Sequence, residues 1–118
     1  MNTAETIHEM AVKARAAASA LRRLTTAEKD AALLKIAETL EAESSALFAA
    51  NAEDVAVARE KGLSPAMVDR LTLTESRFRS MVEGVRSVAR LPDPVGETIW
   101  ERTRPSGITI RKVREPFG

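Results

Sequence analysis

Glu5 and His8 stand three residues apart, the spacing by which a carboxylate and an imidazole leave one helical face in carboxylate-bridged di-metal bundles. A centre of that kind needs a second such pair and two further glutamates. His8 is the single histidine of the chain, so the pair reads as a solvated helix face. Glu53 and Asp54 are adjacent carboxylates. Neighbours on a helix diverge by about 100° and do not converge on one substrate atom as acid and base. Asp69 and Arg70 read first as partners in surface ion pairs, each worth about 0–1 kcal/mol. Serine and threonine are plentiful, yet a hydroxyl becomes a nucleophile only beside a base, and His8 has no G-x-S-x-G partner. There is no GxGxxG, no phosphate-binding loop and no cluster with metal-ligand spacing. The chain has no cysteine, which excludes a disulfide framework, a thiolate metal site and a thiol nucleophile, and which fits a reducing compartment. From residue chemistry alone, the expected catalytic, cofactor-binding and metal-binding residues are none.

The elements that would position any site come from 118 residues, one domain's worth of chain. With 44% hydrophobic, 3% aromatic and 30% charged residues, this is the balance of a helix-rich protein rather than of a disordered one. The net charge is +1, and residues 97–118 hold five basic side chains against three acidic. Nucleic-acid binders concentrate more positive charge on one face and interleave aromatics for base stacking, so no nucleic-acid partner is expected. No apolar run approaches the roughly 20 residues of a membrane span, which predicts no membrane partner. The opening MNTAETIHEM is polar and acidic, unlike a secretory signal, and a cytoplasmic location is the default.

Four of the five prolines fall after Leu91, where helical patterning gives way to alternation. Residues 1–91 are therefore expected to form a helical segment, 92–96 a linker and 97–118 a β-hairpin. The first helix is expected to start with Thr3 as its cap and Glu5 in its first turn. Its stripe, Ile7, Met10, Ala11, Ala14, Ala18 and Leu21, is expected to face a core. Thr25 to Glu28 has capping-box form and opens a second helix with Leu33, Ile36, Ala37, Leu40 and Leu47 on one face. A break is expected at Asn51, followed by a short helix over 52–61 that Gly62 stops. Ser64 and Pro65 restart the chain as cap and first helical residue of a helix holding Met67, Val68 and Leu71. Thr74 caps the last helix, with Phe78, Met81, Val82, Val85 and Ala89 at helical spacing and Gly84 expected at a close packing approach. Glu97–Arg104 and Ile108–Arg114 flank Pro105-Ser106-Gly107 as two strands, with Ile108, Ile110 and, less regularly, Val113 and Trp100 on one face. A lone two-stranded ribbon is marginal in water, so something else is expected to cover it.

Asn51-Ala52-Glu53-Asp54-Val55 and the run from Gly62 through Asp69-Arg70-Leu71 to Thr74 resemble the N-terminal region of the glutamate-5-semialdehyde dehydrogenases, or gamma-glutamyl phosphate reductases. Asp93-Pro94-Val95-Gly96 and the closing stretch from Ile108 to Gly118 look like the same family. Arg114-Glu115-Pro116-Phe117-Gly118 also resembles the segment leading into the first cofactor-domain strand of aldehyde dehydrogenases. The resemblance implies a mainly α fold, N-terminal helices followed by a C-terminal β-hairpin, as a fragment of an α/β aldehyde-dehydrogenase-like fold. It implies a complete enzyme that attacks gamma-glutamyl phosphate with a cysteine thiolate, releases phosphate and reduces the thioester with NADPH on the way to proline.

None of the family's chemical positions falls within residues 1–118, so this chain alone is expected to be inactive and to bind no cofactor. The resemblance also implies the remainder of the enzyme chain as partner, and homo-oligomers of the complete enzyme formed through the hairpin region. The rival expectation is a stand-alone helical interaction module without catalysis.

Overall fold

A computed structural model describes residues 2–117; Met1 and Gly118, the outer ends of the expected helical and hairpin segments, lie outside the described residues. The elements are α1 (Thr3–Leu21), α2 (Thr26–Ala42), α3 (Ser44–Glu60), α4 (Pro65–Leu71), α5 (Glu75–Ala89), β1 (Thr98–Thr103) and β2 (Thr109–Val113). Mainly helical architecture followed by one antiparallel hairpin is what the sequence led us to expect. By contacts, the described chain divides into two units, residues 27–91 and residues 2–26 with 92–117.

Within residues 27–91 the core is small and built from thin side chains. Ala37 of α2 is fully buried and packs with Phe78 and Val82 of α5, while Leu40, Leu47, Phe48, Leu73 and Val85 close around them. Phe48 and Phe78 meet with ring centroids 5.2 Å apart and planes tilted by 52°, the offset geometry that aromatic quadrupoles favour. A second cluster joins Val55 and Ala58 of α3 to Val68 of α4.

The expected second helix and short third helix are instead α2 and α3, parted at Glu43 rather than at Asn51. Backbone bonding runs almost unbroken through that joint, since Glu43 donates to Thr39 and accepts from Leu47. Leu47 therefore reaches the expected core from α3, whereas Ile36 stands half exposed.

The helix ends follow side-chain chemistry. Gly62 has φ 74° and closes α3 by a Schellman motif: its amide donates to Arg59, and the Leu63 amide donates to Ala58. Ser64 caps α4 by accepting from the Met67 amide at 3.3 Å, and Thr74 caps α5 by accepting from the Arg77 amide at 3.2 Å. Gly84 does not mark a close approach, for a methyl group built there meets nothing within 4 Å.

In the unit of residues 2–26 and 92–117, α1 is capped by Asn2 rather than Thr3. The Asn2 side chain accepts from the Glu5 amide at 2.9 Å, and the Glu5 carboxylate accepts from the Asn2 amide at 2.8 Å. Only a cap at Asn2 puts Glu5 at the third helical position, where it can reach back; from Thr3 that position would be Thr6. The stripe expected to face a core is open to solvent, with Ile7, Met10 and Leu21 58–60% exposed, and α1 holds no buried residue. Alanine-rich sequence makes this helix by propensity and capping, and its described surroundings leave the stripe uncovered.

In the hairpin, Trp100 pairs with Lys112, Arg102 with Ile110 and Thr103 with Thr109. An irregularity between Thr98 and Trp100 leaves Thr98 opposite Val113. Because side chains alternate, Trp100 and Ile110 share a face and Val113 falls on the other, so the expected four-residue face is split. The turn is pinned by Gly107 (φ 85°) donating to Arg104 and by Arg104 donating to Ile108. Asp93 accepts from the Val95 amide at 3.0 Å and from the Thr26 hydroxyl at 2.8 Å, fixing the residues that precede the ribbon.

Candidate functional site

The residues whose spacing first suggested chemistry are dispersed. Glu5 is consumed as half of the α1 capping box, and His8 stands exposed on the same helix. Glu53 and Asp54 are exposed on α3. Among the described residues no group of three or more histidine, cysteine, aspartate or glutamate side chains can hold a metal ion. No helix among them is long and apolar enough to cross a membrane.

The densest polar constellation lies where α4 turns into α5, and its members come from three helices. Arg77, in the first turns of α5, sends one guanidinium nitrogen to the Asp69 carboxylate at 2.9 Å and another to the carbonyls of Asp69 and Thr72, the latter at 2.9 Å. Asp69 therefore pairs across to α5, whereas the adjacent Arg70 is exposed. From α3, Asn51 donates to the Leu71 carbonyl at 2.9 Å and accepts from the Leu73 amide at 2.8 Å. The Thr72 hydroxyl returns to the Val68 carbonyl at 2.7 Å. Every one of these bonds ends on backbone at the C-terminal end of α4 or on a carboxylate beside it. The constellation is a staple for the turn at 69–73.

Sequence reasoning missed Asn51 and Arg77. The only signal was the family-like Asn51 itself, read as a helix break because asparagine is a poor interior helix former. Its amide is tolerated inside α3 because both of its ends bond outside the helix.

Beside this staple an open cleft of about 490 Å³ is lined by Arg59, Leu63, Pro65, Val68, Asp69 and Thr72. It brings together one guanidinium and one carboxylate that Arg77 already neutralises. Such a lining can hold charge in place, but it offers neither a nucleophile nor a base for proton transfer.

Two further charge clusters have structural work. Arg86 of α5 grips Glu41 of α2 through two bonds of 2.9 and 2.6 Å, and this hydrogen bonding holds the Glu41 carboxyl below its ordinary value. On the hairpin, Arg111 pairs with Glu101 and Arg114 with Glu97, while the Arg102 guanidinium lies 5.2 Å from the centre of the Trp100 ring. Two of the five basic side chains of this segment are thus matched by carboxylates.

No protein-family model matches the chain. A curated gamma-glutamyl phosphate reductase of Geotalea daltonii is 48% identical to it over all 118 residues, which amount to 28% of that protein's length. The chain matches the N-terminal region of gamma-glutamyl phosphate reductase.

The reductase of Moorella thermoacetica gives the same 48% identity and the same 28% share. Among solved structures, the gamma-glutamyl phosphate reductase of Thermotoga maritima superimposes with a TM-score of 0.88 at 42% identity, covering 92% of this chain and 26% of that one. The Saccharomyces cerevisiae reductase gives a TM-score of 0.84 at 34% identity, covering 98% of this chain and 29% of that one. The chain spans little more than a quarter of the length of the reductases it matches. Set beside them, the resemblance carried by residues 51–55 and 62–74 falls on the stapled turn and the helices that hold it.

Proposed function

We propose that the chain supplies the N-terminal part of an enzyme that reduces gamma-glutamyl phosphate to glutamate 5-semialdehyde with NADPH, in the formation of proline. Sequence identity of 48% along the whole chain to a curated reductase carries this reading. In it, residues 1–91 are the helical segment, 92–96 the linker and 97–118 the hairpin leading into a cofactor domain of aldehyde-dehydrogenase type. The remainder of a reductase chain is the principal partner, the complete enzyme is a homo-oligomer, and its setting is the cytoplasm.

The chain contributes scaffolding and no reacting group. Acyl transfer from a mixed anhydride needs an activated nucleophile, and hydride transfer needs a site that holds the nicotinamide against the acyl carbon. The chain has no cysteine, and its best polar constellation is spent on backbone carbonyls and amides. We therefore assign no catalytic, cofactor-binding or metal-binding residue to it.

The test is NADPH formation from glutamate semialdehyde, NADP⁺ and phosphate, run on the 118-residue chain and on a spliced enzyme. In the spliced enzyme, this chain replaces the matching segment of the Geotalea daltonii reductase. The spliced enzyme is expected to turn over and the chain alone to give no signal. Turnover by the chain alone, or a folded but inactive spliced enzyme, overturns the proposal.

A further inference from the structure

Where the start of α3 faces the first turns of α5, residues 27–91 hold an open pocket of about 310 Å³. That volume lies at the small end of the range that holds metabolite-sized ligands. Phe48 and Phe78, their ring centroids 5.2 Å apart, give it an aromatic floor that Val82 continues. Ser44, Glu75 and Arg79 stand around that floor. Glu41 completes the lining, but its carboxylate is already gripped by Arg86.

The three polar groups have no such use. Among the described residues the Ser44 hydroxyl, the Glu75 carboxylate and the Arg79 guanidinium take no hydrogen-bond or ion-pair partner. Glu75 and Arg79 stand four residues apart on α5 with the acid N-terminal, the order in which a helical ion pair forms best, and they form none. An open carboxylate, an open guanidinium and an aromatic floor together match a ligand that carries an ammonium, a carboxylate and an apolar body close to one another.

We propose that this pocket binds a free α-amino acid with a compact apolar body, and that in the reductase this amino acid is L-proline. Arg79 takes the carboxylate by charge-assisted bonds, and Glu75 and Ser44 accept from the ammonium. The pyrrolidine ring lies on Phe48, Phe78 and Val82, where the ring faces also attract the cation. Proline's ring holds its ammonium and carboxylate at nearly fixed spacing, so little freedom is lost on binding. The choice of proline among apolar amino acids rests on the functional reading above, in which the product of the reduction goes on to proline.

The experiment titrates the 118-residue chain with L-proline, D-proline and L-glutamate and follows the nuclear magnetic resonances of the Phe48 and Phe78 rings and of the Arg79 side chain. L-proline is expected to shift them saturably with a Kd of about 1 mM, the strength open to a ligand of eight non-hydrogen atoms. D-proline cannot meet Arg79 and Glu75 together, and L-glutamate would press a second carboxylate onto the aromatic floor, so both are expected to bind at least about tenfold more weakly. Arg79→Gln is expected to weaken L-proline by about tenfold or more. Because Arg79 is exposed and unpaired, that variant should melt with the parent.

No saturable shift, equal shifts with the two enantiomers, L-glutamate binding as tightly as L-proline, or full affinity in Arg79→Gln each overturns the proposal. Activity of the unmutated spliced enzyme tests the functional reading separately. An active spliced enzyme beside a short chain that ignores L-proline overturns the pocket assignment alone. Saturable, stereospecific binding beside a folded, inactive spliced enzyme overturns the functional reading and leaves the amino-acid pocket standing.

Discussion

Asn51→Ala tests whether the turn at 69–73 is held from α3. The substitution removes a donor to the Leu71 carbonyl at 2.9 Å and an acceptor for the Leu73 amide at 2.8 Å. Each bond is worth about 1 kcal/mol net, and the half-buried Leu73 amide, left without its acceptor, moves the sum toward about 2–3 kcal/mol. Against this, alanine is a better interior helix residue than asparagine by about 0.6 kcal/mol, so α3 itself gains. The balance is a loss of about 1.5–2.5 kcal/mol, equivalent to roughly 6–10 °C in melting temperature for a chain of this size. Urea unfolding followed by circular dichroism at helical wavelengths supplies the measurement. Asn51→Asp, which keeps the acceptor for Leu73 but sets a carboxylate against the Leu71 carbonyl, should also destabilise. An Asn51→Ala protein as stable as the parent would refute the staple, because propensity alone would then decide the position.

Three further outcomes follow from packing, backbone geometry and charge. Phe78→Ala should cost about 3–5 kcal/mol by chemical denaturation, more than Leu40→Ala, because Phe78 is buried among Ala37, Phe48 and Val82 while Leu40 is the smaller side chain and only partly buried; equal losses would remove Phe78 from the centre of the core. Gly84→Ala should stabilise the chain by up to about 1 kcal/mol, since the added methyl meets nothing within 4 Å and the helix gains propensity; a loss of stability would contradict the open surface at that turn. Glu41, bonded to Arg86, has its carboxyl lowered in the folded chain, so it stabilises at pH values above the ordinary carboxylate range and that contribution disappears as pH falls through its folded value. Glu41→Gln should flatten the acid limb of stability against pH, and an unchanged acid limb would show that the pair is inert.

What could be read from the residues divides along the range of the forces involved. Local chemistry was legible: Ser64, Pro65, Thr74 and Gly62 fix the ends of α3, α4 and α5, and each is satisfied by bonds within a few residues. Tertiary override was not. Asn51 looks like a punctuation mark until its amide is seen bonding 20 and 22 residues away, and the joint at Glu43 carries no glycine or proline to announce it. At the start of α1 the residue in register with Glu5 for a reciprocal box is Asn2, one position before the expected cap Thr3. The exposed stripe of α1 is a different kind of miss, because periodicity reveals that a face is apolar without revealing what covers it. The expected apolar face of the hairpin is split because Ile110 and Val113 stand three residues apart on β2, a spacing that alternation sends to opposite faces.

Growth tests the central claim most directly. Cells lacking their own gamma-glutamyl phosphate reductase would receive the gene for the 118-residue chain, the gene for the spliced Geotalea daltonii enzyme, or the spliced gene with its own matching segment deleted, and be plated without proline. The account predicts colonies from the spliced gene only. Colonies from the 118-residue chain, or from the gene with the segment deleted, would contradict the claim that this chain is an indispensable scaffold without reacting groups. A folded spliced protein that supports no growth would contradict its assignment to this enzyme.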